Sequence, residues 1–282
     1  MNDSQARRVG GAGEGAATAP AAGFLPRKAQ WALRLALVLL LVYVVLDVVA
    51  QLLPPHYSPV TQAESDLAVG PFGYVMTVNF VVRGILSLSF LVGLVGATTL
   101  GRRSPLGVGL LGAWGLGAFV LAASPTDVGT ATTLHGMIHL VTAALAFVAA
   151  AVGEVILSIR SGEEPRLAGI RTPALLLSVL AVLALLVLLY LQQRPRLLDE
   201  AFGLVERVFL GLVLLWIAFV SVALLRSGRT RSPSGGAGER GAAAGSAAGG
   251  SRQERVEEPN RGAPKSEEGV VKLLQAPAKP VL

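Results

Sequence analysis

The ionisable residues of this 282-residue chain are few, and several of them interrupt long apolar runs. His135 and His139 are four apart, so a helix places both imidazoles on one face, where they could bind a metal or relay protons. Zinc is the ion such a pair would take, with Asp127 as a third ligand; His56, Asp66 and Glu206 are further donors among which the spacing does not choose. The competing reading is structural: one histidine hydrogen-bonds Asp127 or Asp66 across helices. Arg83 lies about ten residues into its apolar run, too deep to reach an interface, and needs Asp47, Glu206 or another carboxylate as partner. It either fixes helix packing as an internal ion pair or meets an anion. Asn79, Glu154 and Arg207 complete the polar set inside the runs, and Glu64, Ser65 and Asp66 stand just outside them.

The elements that must position these groups are six apolar blocks, near 31–53, 73–100, 106–124, 132–158, 173–191 and 203–225. At 1.5 Å per residue each spans about 30 Å of hydrocarbon as a helix. Helices are the economical solution, because a lipid-facing strand outside a closed barrel leaves backbone groups unpaired. The sequence therefore predicts an all-α polytopic membrane protein, a six-transmembrane-helix bundle. Only 15% of residues are charged, against about 25% in an average soluble domain, while 52% are hydrophobic. The first block is too long for a signal-peptide core and stands about thirty residues in, which predicts a retained span.

Lys and Arg flank one side of these blocks. Arg27 and Lys28 precede the first, Arg102 and Arg103 follow the second, Arg160, Arg166 and Arg171 follow the fourth, and Arg226 follows the sixth. The 54–72 and 125–131 connections have none, while 192–202 holds only Arg194 and Arg196. Positive charge marks the cytoplasmic face, so both termini are expected there, in the cell membrane. Every intramembrane polar residue but Glu154 then falls in the outer half or near the midplane, which predicts a polar cavity opening outward.

Residues 1–30 and 227–282 are rich in Gly, Ala, Ser and Pro and are expected to be disordered, leaving 31–226 as the folded domain. The cytoplasmic tail could recruit a protein partner, for which Val270-Val271-Lys272-Leu273-Leu274 offers one short motif. With 24 Lys+Arg against 18 Asp+Glu the net charge of +6 suits anionic lipid, and the bilayer rather than nucleic acid is the expected partner. Small residues at four-residue spacing, Ser89-Gly93-Ala97 in the second block and Gly109-Ala113-Gly117 in the third, predict these two as close antiparallel neighbours.

Several chemistries are excluded. There is no cysteine, so there are no disulfides, thiolate metal sites or thiol nucleophiles. Three histidines, two of them on one helix, cannot ligate two hemes, and no phosphate loop, His-Glu-x-x-His pair or Gly-x-Ser-x-Gly elbow stands at a plausible position.

A set of short motifs resembles a known family. Ser65-Asp66-Leu67 with Gly70-Pro71, then Asn79-Phe80 and Gly84, is similar to the opening of the membrane family called domain of unknown function 998. Ser124-Pro125-Thr126-Asp127 resembles its Pro-x-Asp loop, Leu134-His135-Gly136-Met137-Ile138-His139 its His-Gly-x-x-His helix start, and Gly203-Leu204-Val205-Glu206-Arg207 its last-span Gly-x-x-Glu-Arg segment. The resemblance covers about 31–226 and implies a six-span helical membrane protein, of a bacterial inner membrane, without an established reaction. It marks Ser65, Asp66, Asp127, His135, His139, Glu206 and Arg207 as recurring polar positions.

Three functions fit this reading. The first is binding or transport of a small molecule or lipid headgroup at the outward cavity, with Arg83 and Arg207 facing an anion and Asp66 and Glu206 a cation. The second is a membrane scaffold or assembly subunit, whose buried charges serve packing alone. The third is a metal-dependent intramembrane lipid hydrolase using His135, His139 and Asp127 or Asp66.

Overall fold

Hydrocarbon offers no hydrogen bonds to a backbone, and the chain answers with helices that satisfy their own. A computed structural model describes residues 24–129 and 132–228. The expected disordered tails, with the partner motif at 270–274, fall outside the described residues except for 24–30 and 227–228.

Among the described residues seven α-helices are present: α1 (Arg27–Leu52), α2 (Gly73–Ala97), the single turn α3 (Leu100–Arg103), α4 (Pro105–Ala123), α5 (Leu134–Arg160), α6 (Arg171–Gln192) and α7 (Pro195–Ser227). Six are long and apolar enough to cross a membrane, and the protein is an all-α bundle of membrane type. Two ends depart from the sequence reading. α1 begins at Arg27, so 27–30 belong to the first helix, and α7 begins eight residues before the expected apolar block. Pro195 occupies its first turn, where a missing N–H costs nothing.

The helices close a ring. α1 packs on α2, α2 on α4, α4 on α5, α5 on α6, α6 on α7, and α7 returns to α1. One end of the bundle carries the short 3-10 turn Glu64–Ala68 and the 124–129 segment; the other carries α3 and the 161–170 connection. At that second end the Glu164 carboxylate accepts the backbone N–H of Thr99 at 2.8 Å and its hydroxyl at 3.0 Å. The exposed Arg102, Arg103, Arg160, Arg171 and Arg226 also lie there.

The second and third spans, α2 and α4, are neighbours as expected, but not through the expected stripes. A Cβ on Gly93 would strike Leu33 of α1, one on Gly117 would meet Ala146 of α5, and Gly109 faces open space. The close approach of α2 and α4 is made at Gly84, against Phe119, and at Gly115, against Ser87. A helix with small residues on several sides has several faces able to approach a neighbour, and the ring decides which one each neighbour receives.

Candidate functional site

The site is built where the Glu64–Ala68 turn meets α2 and α7. Three residues of one motif hold the turn down. At Gly203 the loop backbone lies so close that a Cβ would collide with the carbonyls of Pro59 and Gln62. One turn later, Glu206 Oε2 accepts the backbone N–H of Glu64 at 2.6 Å. Beside it Arg207 Nη1 donates to the carbonyls of Pro59 and Gln62, each at 3.2 Å, and to its own helix at Gly203, at 3.1 Å. Its Nη2 donates to the Tyr57 hydroxyl, which in turn lies 2.7 Å from the Ala63 carbonyl. Burial raises the Tyr57 hydroxyl's pKa, keeping it a neutral donor. The Gly-x-x-Glu-Arg segment is thus a docking device for the 57–64 loop.

Docking brings Glu64 into the bundle at 3% exposure. Its Oε1 accepts from the Tyr43 hydroxyl of α1, and its Oε2 lies 4.0 Å from Arg83 Nη1. Glu64, rather than Asp47 or Glu206, is therefore the ion-pair partner of Arg83. The guanidinium is also flanked by two rings, with its carbon 4.6 Å from the centre of Trp114 and 5.1 Å from that of Phe80. These cation–π contacts support a charge that one long ion pair leaves under-compensated. Arg83 Nε and Nη2 have no partner among the described residues, nor does Asn79 Oδ1 one turn earlier. Asn79 is wholly buried, with its amide nitrogen near the Met76 sulfur.

A cavity of about 220 Å³ lies against this cluster. Ser65, Asp66, Arg83, His139 and Glu206 line it together with Glu64, so five of the residues singled out from sequence converge. His139 is buried, and its Nδ1 sits 2.7 Å from the Ser124 carbonyl. A carbonyl only accepts, so Nδ1 carries the proton in this contact, and in the neutral form of the ring Nε2 is left as an acceptor. Asp66 Oδ2 caps the turn by accepting the Ala63 N–H at 3.2 Å, and burial, opposed by that bond and by Arg207, pushes the carboxyl above its usual range.

The rest of the lining is largely apolar. Phe147 of α5 and Leu185 and Leu188 of α6 are buried, whereas Leu140, Ala144 and Leu189 are exposed. Those three exposed residues lie on α5 and α6, where the cavity meets the outer surface of the bundle. Neither α4 nor α6 carries a site residue singled out from sequence, yet α4 contributes Trp114 to the guanidinium and Leu121 to the cavity, and α6 lines the cavity with four side chains ending at Gln192.

Asp127 and His135 do something else. The Asp127 carboxylate accepts the Thr133 N–H at 2.7 Å and hydroxyl at 2.8 Å, and the Thr133 hydroxyl accepts the Gly136 N–H at 3.1 Å, capping α5. The two Thr133 bonds hold Asp127 below its ordinary value, with His135 adding a smaller pull. His135 is exposed while His139 turns inward. Among the described residues no three His, Asp or Glu side chains are arranged to hold a metal ion. The suggested zinc set of His135, His139 and Asp127 is thus not gathered: an intervening helix start separates an exposed ring from a buried one, and the carboxylate is spent on the cap. Gly136 between the histidines makes room for Asp127, whose carboxylate occupies the space a Cβ would need.

Comparison with known proteins bears on the whole assembly. The family described as "Protein of unknown function (DUF998)" matches residues 16–223. No curated protein and no solved structure matches the chain.

Proposed function

We propose a function for a chain that belongs to the DUF998 family: it binds a small amphipathic molecule or a lipid headgroup in the cavity beneath the Glu64–Ala68 turn. The observation that carries this reading is the mixed lining. Ionisable groups of Glu64, Arg83, His139 and Glu206 share the cavity with Leu140, Phe147 and Leu189. Sites for small molecules are commonly apolar concavities with a few convergent polar groups. A mouth between α5 and α6 supports entry from the bilayer of a molecule whose head reaches the charges while its body stays among leucines.

In this reading the protein is multi-pass in the cell membrane with the Glu64 end outward. The arginines at the opposite end support that orientation, with both termini cytoplasmic. The test uses Ala144, an exposed residue at the mouth. Small molecules co-purifying with the wild type and with Ala144→Trp are identified by mass spectrometry. A compound with a polar head and apolar body should accompany the wild type and be lost from the variant. Identical extracts from two folded proteins would contradict the proposal.

A further inference from the structure

The charge balance around the cavity narrows what it takes. Asp47, Glu64, Asp66 and Glu206 act electrostatically on one another or on Arg207, and Arg83 pairs with Glu64. Four carboxyls therefore share two guanidiniums. Arg207 is further committed to the loop carbonyls and Arg83 to Glu64 and two aromatic rings, and neither guanidinium donates to Glu206.

Glu206 is the group left over. It is 6% exposed and lines the cavity; its Oε2 is spent on the Glu64 N–H, and its Oε1 has no hydrogen-bond partner among the described residues. Asp66 lines the same space with one oxygen spent on Ala63, and in a neutral His139 ring Nε2 is a further acceptor; the one cationic side chain in the lining, Arg83, already pairs with Glu64. An ion buried without compensation is costly, and the cheapest remedy in a cavity already walled by leucines is a positive charge carried on an apolar body.

Resting on the cavity reading above, we infer that the ligand is an amphipathic organic cation, a protonated amine whose ammonium sits between Glu206 and Asp66 and whose apolar part lies between α5 and α6. An ammonium supplies both the charge and the N–H donors that these acceptors lack.

Three probes of like shape and different charge test this: 4-phenylbutylammonium, 4-phenylbutanol and 4-phenylbutyrate, titrated onto the full-length protein in lipid nanodiscs at neutral pH. Ala144→Trp supplies the background for partition into lipid. The ammonium should bind at least about tenfold more tightly than the alcohol, and the butyrate more weakly than either. Glu206→Gln and Asp66→Asn keep an oxygen able to accept the Glu64 or Ala63 N–H, so the turn stays docked, and each should bring the ammonium-to-alcohol ratio toward one. Glu154→Gln, which removes a buried carboxyl elsewhere in α5, should leave the ratio as in the wild type. Equal affinity for ammonium and alcohol would overturn the cation and leave a neutral-ligand cavity, with the charge deficit met by protons. Tightest binding of the butyrate would overturn it in favour of Arg83 as an anion site. No probe binding above the Ala144→Trp background would overturn the cavity reading itself.

Discussion

Glu206 of α7 accepts the backbone N–H of Glu64, a residue 142 positions earlier, at 2.6 Å. That contact orients the Glu64 side chain toward Arg83 and sets the roof of the cavity, so two acidic residues near each other serve different ends. One carboxylate holds backbone, and the other holds a guanidinium.

The Arg83–Glu64 pair should show strong coupling. Removing one member of a buried pair typically costs about 3–5 kcal/mol because the other is left charged and alone. Arg83→Leu should therefore lower stability in detergent more than Arg83→Leu combined with Glu64→Gln. Additive losses across the double-mutant cycle, followed by thermal unfolding, would contradict the pairing.

Glycines separate close approach from mere helix content. Gly203→Ala and Gly136→Ala place a methyl group against the 59–62 backbone and the Asp127 carboxylate respectively, and both should destabilise the Glu64 end. Gly109→Ala and Gly211→Ala meet nothing within 4 Å and should be neutral or mildly stabilising. Equal melting temperatures for Gly203→Ala and Gly211→Ala would remove the docking role given to Gly203.

The α5 cap predicts a pH dependence. Asp127 is held below its ordinary value of 3.8, so its ionised form favours the folded state; the contribution is complete above that value and disappears as pH falls through the lower, folded one. The stability difference between wild type and Asp127→Asn should then shrink on acidification below about pH 4. Asp66 has the opposite sign: burial raises it, so its neutral form favours folding, and that contribution fades as pH rises above 3.8. An Asp127→Asn difference that stays constant from neutral to strongly acid pH would contradict the cap.

The span arrangement was legible because six apolar runs, each long enough to cross, admit little else. The motif residues Ser65, Asp66, Arg83, His139 and Glu206 were legible as a group, since each interrupts or borders a run that should be apolar. Their partners were not. Glu64 reads as one more loop acid until Gly203 lets its loop descend, and Tyr43, four residues before Asp47, carries no mark except that spacing. Trp114 looks like any core aromatic until Arg83 lies over it. The histidine pair misled because four-residue spacing aligns two Cα atoms on a helix face without saying that one lies at the exposed start and the other a full turn deeper.

Because the chain lacks cysteine, single cysteines report orientation without background. Val128→Cys and Arg102→Cys lie at opposite ends of the bundle and are both exposed. In intact cells a membrane-impermeant maleimide should label Val128→Cys and spare Arg102→Cys. The reverse pattern would invert the proposed topology, and labelling of both or neither would contradict the six-span count.

The most direct measurement is a density map of the purified protein in lipid nanodiscs. Non-protein density is expected in the cavity, with its polar end against Glu206 and Asp66 and its remainder running between Leu140 and Leu189. A cavity closed by its own side chains, with α5 and α6 packed together across Ala144, would contradict it.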